Sequence, residues 1–212
     1  MTSPRRALVL VDVQQQYFSG PLEIQFPPLA ESLPNIAAAI DAVVDSGVPV
    51  VAVQHTAGEQ APVFNPTTPE FALHPEVELR RRPEWKSVVK QYGSVFADTD
   101  LLPWLREQDI DTITLVGYMT NNCIIASAVE AEAHGIVVEV LSDATGAINI
   151  ANSAGFAPAK TVHTTLMTLL QSNFAAVATT HDWTQALADG QPLAKDNLPS
   201  SAMFGAELAA RG

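Results

Sequence analysis

The single cysteine of the chain, Cys123, occupies a position that suits a nucleophile. An apolar, β-branched run from Thr112 to Val116 leads into Gly117, and a helical pattern begins at the cysteine. The thiol is therefore expected at a helix N-terminus, where free amide groups and the helix dipole favour an anion and hence the reactive thiolate. A small buried apolar filler is the alternative, since free cysteine is among the most buried residue types. Position alone leaves both open.

An acid and a cation occupy comparable places elsewhere in the chain. Asp12 directly follows the apolar run Ala7–Val11, and Lys90 closes the run Ser87–Lys90. Taken singly, Asp12 could cap the next turn and Lys90 could be a solvated strand end. Open α/β sheets, however, bring the carboxyl ends of their strands to one edge. There the cation would stabilise a thiolate and the acid would move protons.

The elements that must position these groups alternate between short apolar runs and helical stretches. Most of the runs lack polar alternation, which is typical of strands buried on both faces of a parallel sheet. The alternation predicts an α/β protein with three layers, α/β/α, around a doubly wound, six-stranded and mainly parallel sheet. The strands are expected at Ala7–Val11, Val48–Val53, Lys86–Lys90, Thr112–Val116, Ile136–Leu141 and Ala175–Thr179. Helices are expected at Leu33–Val44, with Gly47 as its stop, Asp98–Gln108, Cys123–His134 and Ala154–Ser172.

Composition sets the class of protein. The 212 residues are 47% hydrophobic and carry a formal charge of −12, which supports a large core and disfavours nucleic acid or an anionic membrane as partner. Asp12 ends the first apolar run too early for an export signal, so we expect a cytoplasmic protein.

We expect one domain over residues 1–190 and a tail over 191–212, which either packs at an oligomer interface or frays. Two irregular segments, 18–28 and 54–84, are candidate binding loops.

Three segments in this order resemble the isochorismatase-like cysteine hydrolase superfamily, which includes nicotinamidases, carbamoyl-amide hydrolases and isochorismatases. They read LVLVDVQQQYF, VVKQYGSVFADTDL and LVGYMTNNCIIASAVEAEAHGIVVEVLSDAT, and the likeness covers about Ala7 to His181. The resemblance implies that Asp12, Lys90 and Cys123 form a catalytic triad. It also implies a cis peptide between Tyr118 and Met119, which would turn the Met119 amide toward the Cys123 amide to form an oxyanion hole.

The substrate-binding candidates are less specific than the triad. Residues beside the triad segments could contact a substrate, and we select Gln14, Tyr17, His55 and Tyr118. Asp143 and His163 are interpreted as structural. Nicotinamidases of this superfamily often hold a metal through an Asp-x-His pair, but here the corresponding place reads Gln54-His55-Thr56. We therefore expect no metal and no cofactor.

The function that follows is hydrolysis of a small-molecule C–N amide bond by a cysteine-dependent enzyme, through a thioester acyl-enzyme. Two alternatives stay open: an isochorismatase-type hydrolase of a vinyl ether, whose relatives often carry an acid in place of the cysteine, and a catalytically silent binding or assembly module. The expected partners are a small-molecule amide substrate and, by resemblance, further copies of the chain in a homo-oligomer.

Overall fold

The computed structural model describes residues 3–211, except for the side chain of Asp45. Eight strands are described: β1 (Arg6–Val11), β2 (Val50–His55), β3 (Lys86–Lys90), β4 (Thr112–Tyr118), β5 (Val137–Gly146), β6 (Ile150–Asn152), β7 (Gly155–Ala157) and β8 (Ala176–Ala178). Six of them form one sheet in the order β3-β2-β1-β4-β5-β8, with every neighbouring pair parallel. Strands β6 and β7 form a separate antiparallel hairpin. All six predicted strands are therefore confirmed.

Helices cover both faces of this sheet. They are α1 (Leu29–Ser46), α2 (Pro75–Glu78), α3 (Leu101–Glu107), α4 (Ile125–His134), α5 (Ala159–Leu169), α6 (Thr180–Ala188) and α7 (Leu198–Ala209). Successive residues of β1 alternate between two cores: Val9 packs with α3, α4 and α5, while Leu8 and Leu10 pack with α1 and α6. Because both faces are apolar, the run shows no polar alternation. The three-layer α/β/α fold is confirmed.

The order of the strands places a switch point between β1 and β4. From β1 the chain builds outward through β2 to β3, and it then returns to add β4, β5 and β8 on the other side. Ligands of open α/β sheets bind at such a point, outside the carboxyl ends of the strands. Asp12 follows β1 and Cys123 follows β4, so the two flank this crevice.

The predicted helix bounds were wrong at two places. Ala154–Ser172 does not begin as a helix, because the hairpin β6–β7 contains Gly155 at a φ of 140° and Pro158 is the N-cap of α5. Asp98 has a φ of 56°, which no right-handed helix accepts, so α3 begins only at Leu101 with Asp100 as its N-cap. By contrast, Gly47 ends α1 in the left-handed conformation, as predicted.

The C-terminal segment carries helix α7, in which no residue is buried. Leu198, Met203, Phe204 and Leu208 are all more than half exposed. The expected tail at an oligomer interface remains a prediction, as do the domain limits, whose outer ends at residues 1–2 and 212 lie outside the described residues. Within residues 3–211, no helix combines the length and apolar character that a bilayer crossing requires.

Candidate active site

Asp12, Lys90 and Cys123 meet at the carboxyl edge of the sheet. Lys90 Nζ lies 2.8 Å from Asp12 Oδ2 and donates to Cys123 Sγ at 3.2 Å. The three residues are at most 2% exposed. The structure thus brings together the acid, the cation and the thiol that the sequence analysis selected, with the ammonium in contact with both others.

The turn after β1 holds Asp12 in an unusual backbone conformation. Its φ of 50° is in the left-handed region, which costs a residue with a side chain about 1–3 kcal/mol. The Asp12 amide donates to the Val53 carbonyl at 3.1 Å, and its own carbonyl accepts from the Gln14 amide at 2.7 Å. The contact with Lys90 is an ion pair without hydrogen-bond alignment, and neither carboxylate oxygen has a hydrogen-bond partner among the described residues. The buried carboxylate therefore has unused acceptor capacity.

Lys90 has more acceptors around it than protons to give. Besides Asp12 and Cys123, its ammonium donates to the Tyr92 carbonyl at 3.1 Å and lies 3.4 Å from His55 Nδ1. An ammonium carries three donors. Four neighbours therefore surround three N–H donors, and Asp12 is in contact as an ion pair.

The electrostatics of the thiol differ from the sequence-based expectation. Burial and the Asp12 charge raise the pKa of Cys123 to about 12, and the nearby Lys90 ammonium only partly opposes this. Burial also raises the pKa of Asp12, again against the influence of Lys90. Burial thus opposes the thiolate that a position at the start of a helix favours. The thiol keeps its proton until a base takes it, and the Asp12 carboxylate contacts the same Lys90 ammonium as the thiol.

A single π-helical turn, Thr120–Ile124, carries the cysteine, and α4 follows it. The peptide bond between Tyr118 and Met119 is cis. The Met119 carbonyl accepts from the amides of Asn122 at 3.1 Å and Ile124 at 3.3 Å, on either side of the cysteine. Gly117 permits the approach of β4 to β1, since at its φ of 101° any Cβ would collide with the Val11 carbonyl oxygen.

Gln14 and His55 support the cluster from the side of β2. The Gln14 side chain accepts from the His55 amide at 2.8 Å and donates to the carbonyls of His55 and Phe71. Gln14 is fully buried, so its contacts are those of a positioning residue. Burial and the Lys90 charge lower the pKa of His55 to about 4, which leaves a neutral imidazole beside the ammonium.

Aromatic rings surround the cluster. The Tyr17 ring packs against Tyr118 at 5.7 Å and Phe64 at 5.3 Å, and Phe64 in turn meets the His55 ring edge-on at 5.0 Å. Burial and then the charges of Cys123 and Asp12 raise the pKa of Tyr17. The Tyr118 hydroxyl lies 2.8 Å from Ser32 Oγ in a buried hydrogen bond.

Several site residues escaped sequence reasoning. Phe64 comes from the Pro-rich loop, whose path no local pattern reveals. Ser127 donates to the Cys123 carbonyl at 2.6 Å, and its spacing of four residues from the cysteine on a helix was the available signal.

Asp143 accepts from the Thr180 amide and hydroxyl at the start of α6, which confirms its structural interpretation. Among residues 3–211, no group of three or more His, Cys, Asp or Glu side chains could hold a metal ion.

The fold and site together define an α/β/α protein with a buried acid–cation–thiol cluster at the sheet's switch point. The sequence profile of the isochorismatase domain matches residues 6–182, and the chain belongs to the isochorismatase family of hydrolases. A crystal structure from Burkholderia xenovorans LB400, described as a candidate isochorismatase, is similar with a TM-score of 0.94 and 44% identity, covering 99% of this chain and 100% of that one.

Two curated relatives are also similar. The isochorismatase family protein YddQ of Bacillus subtilis is 33% identical over 178 residues, 82% of this chain and 96% of the relative. Maleamate amidohydrolase of Pseudomonas putida is 30% identical over 162 residues, 66% of this chain and 71% of the relative.

Proposed function

We propose that this protein is a cysteine-dependent hydrolase that cleaves the C–N bond of a small-molecule amide through a thioester acyl-enzyme. The observation that carries the proposal is the buried Lys90 ammonium in contact with both the Asp12 carboxylate, at 2.8 Å, and the Cys123 thiol, at 3.2 Å. A nucleophile, a base and a fixed positive charge are the groups that covalent amide hydrolysis needs.

Acylation begins when Asp12 takes the thiol proton. The raised pKa of Asp12 suits it for this role, because a weakly acidic carboxyl group is a stronger base than an ordinary aspartate. The Cys123 sulfur forms a bond to the amide carbon, and negative charge moves to the amide oxygen. The Met119 and Cys123 amides donate to this oxyanion, and Lys90 stabilises the sulfur and carboxylate. The C–N bond then breaks, and the Asp12 proton leaves with the ammonia or amine.

Deacylation reverses the roles of the same groups. Asp12 takes a proton from water, whose oxygen attacks the thioester carbon within the same oxyanion hole. The C–S bond breaks, the carboxylic acid departs, and the proton on Asp12 returns to the Cys123 sulfur. One water is consumed for each amide, and the enzyme regains its starting protonation state.

The amide class has support from outside the cluster. The relative of Pseudomonas putida bears the name maleamate amidohydrolase, which denotes hydrolysis of an amide. The rings of Tyr17, Phe64 and His55 pack against one another beside the cluster, and such aromatic surface suits a small substrate with a flat or apolar face. The vinyl-ether alternative lacks comparable support, because the position of the nucleophile holds a thiol.

Ammonia release from a panel of small amides tests the proposal. Maleamate-like half-amides, nicotinamide and carbamoyl compounds would be supplied to the wild-type chain, to Cys123→Ala and to a control variant at the exposed His181. We expect turnover of at least one amide by the wild type and the control, and none by Cys123→Ala. Equal ammonia release by Cys123→Ala would overturn the covalent scheme, and a folded wild type that releases no ammonia would favour the silent module.

A further inference from the structure

A chain of buried polar side chains lies behind the cysteine turn. His163 Nδ1, on α5, is 3.0 Å from Thr120 Oγ1, the first residue of the π turn. Thr120 Oγ1 is in turn 3.1 Å from Thr145 Oγ1, near the end of β5. The three residues are at most 3% exposed, and they come from three separate elements. The mechanism proposed above uses none of them.

The neutral imidazole fits these hydrogen bonds in either direction. Burial lowers the pKa of His163, so its ring is neutral near pH 7 and has one donor and one acceptor. In one tautomer Nδ1 accepts from the Thr120 hydroxyl, and Thr120 Oγ1 accepts from Thr145. In the other tautomer Nδ1 donates to Thr120 Oγ1, and the Thr120 hydroxyl donates to Thr145 Oγ1. Each partner in the chain is then satisfied, which is the condition for a buried polar network that fixes one geometry.

Thr120 is the point at which this network reaches the active site. It directly follows Met119, and its side chain attaches the start of the π turn to β5 and α5. The Met119 carbonyl already accepts from the amides of Asn122 and Ile124, which closes the turn around Cys123. Closure fixes the shape of the turn, and the Thr120 side chain ties that shape to β5 and to α5.

We propose that His163 is a positioning residue that acts through Thr120 to hold the Met119 and Cys123 amides in line with the reacting carbonyl. The inference rests on the proposed amide hydrolysis at the same site. His163 does not touch substrate in this scheme. If the turn shifts when the Thr120 hydroxyl loses its hydrogen-bond partner, the oxyanion donors shift with it, and misplacement by about 1 Å can cost about 10²-fold in rate.

A matched pair of variants separates this role from packing. His163→Asn and His163→Leu have side chains of nearly the same size and shape, so both lose the contact of the imidazole with the Phe26 ring. Only asparagine keeps a polar group near the place of Nδ1 that can pair with the Thr120 hydroxyl in either direction. Thr120→Val removes the hydroxyl from the other partner. Thr114→Val is the control, because it breaks a buried hydrogen bond to Glu139, between β4 and β5, in a network that does not contact the cysteine turn.

The first measurement is kcat and KM on the panel amide that the wild type turns over, normalised to folded protein. We expect His163→Leu and Thr120→Val to lower kcat by about 10–10²-fold with little change in KM, since alignment is lost mainly in the transition state. His163→Asn should stay within about threefold of the wild type. The double variant His163→Leu/Thr120→Val should lose no more kcat than either single change. Equal kcat values for His163→Asn and His163→Leu would overturn the proposal.

The second measurement does not need turnover. Amide hydrogen exchange of the peptide that contains residues 119–124 reports the fixation of the turn. We expect faster exchange in His163→Leu and Thr120→Val than in His163→Asn, Thr114→Val and the wild type. Unchanged exchange in His163→Leu would contradict the positioning role even if no panel amide is a substrate. Ammonia release that survives in Cys123→Ala would instead overturn the proposed function alone.

Discussion

Replacing Lys90 by methionine should destabilise the fold because it leaves the Asp12 carboxylate buried without its counter-ion. Both side chains are fully buried, and neither Asp12 oxygen has a hydrogen-bond partner that could take over. Removing one member of a buried ion pair typically costs about 3–5 kcal/mol. We expect Lys90→Met to lose an amount in this range in its free energy of unfolding at about pH 8.

The ionisation of Asp12 determines how the stability lost in Lys90→Met changes with pH. Burial already raises its pKa, and loss of Lys90 removes the principal influence that lowers it. A carboxyl group with a raised pKa in the folded state contributes most stability when it is protonated, and it loses this contribution as the pH rises through its folded-state pKa. The deficit of Lys90→Met should therefore be full at about pH 8 and smaller at about pH 5.

The double variant Asp12→Asn/Lys90→Met carries the main test. It removes both charges and keeps the side chains close to their original size. Replacement of a whole buried pair by neutral groups is often neutral or stabilising, so we expect its stability to lie within about 1 kcal/mol of the wild type. The coupling energy between the two positions should then be at least about 2 kcal/mol. The double variant should nevertheless release no ammonia, because it has no base and no ammonium.

Urea unfolding followed by tryptophan fluorescence, to which the buried Trp85 and Trp183 contribute, gives the stability values. Linear extrapolation is applied to the wild type, both single variants and the double variant. Constant m-values would show that the changes concern stability alone. If the loss of unfolding free energy in the double variant equals the sum of the losses in the two single variants, the charges of Asp12 and Lys90 are not coupled. That result would contradict the prediction.

Three further changes have expected outcomes. Wild-type Cys123 should react with iodoacetamide more slowly than free cysteine at about pH 8, since the pKa of its thiol is raised to about 12. Cys123 in Asp12→Asn should react faster than in the wild type, because a carboxylate that raises this pKa is gone while the ammonium stays. A slower reaction in Asp12→Asn than in the wild type would contradict this. The free energy of unfolding of the wild type should fall as the pH drops from 6.5, the ordinary pKa of histidine, to about 4, the lowered pKa of His55 in the folded state. The reason is that a lowered histidine pKa stabilises the fold above pH 6.5, and this contribution is lost as the pH falls. Urea unfolding across this pH range should show a smaller fall in His55→Asn. Gly117→Ala should lower the stability measured by thermal unfolding far more than Gly135→Ala. The Cβ at position 135 meets open space, so that variant bears only the cost of its left-handed φ, about 1–2 kcal/mol. Equal losses of stability in the two variants would contradict the close approach of Gly117 to Val11.

The sheet could be predicted because its strands are apolar on both faces. The run Ala7–Val11 shows no alternation, and this is what two helical layers require of a central strand. The proximity of Asp12, Lys90 and Cys123 followed from the same topology, since parallel strands deliver their carboxyl ends to one edge. The resemblance then indicated which of these ends are reactive.

The protonation state and the surroundings of the thiol could not be predicted in this way. The pKa of Cys123 depends on how deeply the sulfur is buried, and this depends on tertiary contacts beyond its own turn. Phe64 reaches the site through a loop that is held by long-range hydrogen bonds, such as the one from its amide to Gln16. His163 lies 43 residues from Thr120 along the chain, and no local pattern links the two.

The most direct test of the account is to look for the acyl-enzyme itself. The wild-type chain would be mixed with an amide substrate and quenched in acid within a turnover, and its peptides would be examined by mass spectrometry. We expect an increase equal to the acyl group of the substrate on the peptide that contains Cys123, lost again when hydroxylamine cleaves the thioester. Steady turnover with no such adduct on Cys123, or an adduct on another residue, would contradict the account.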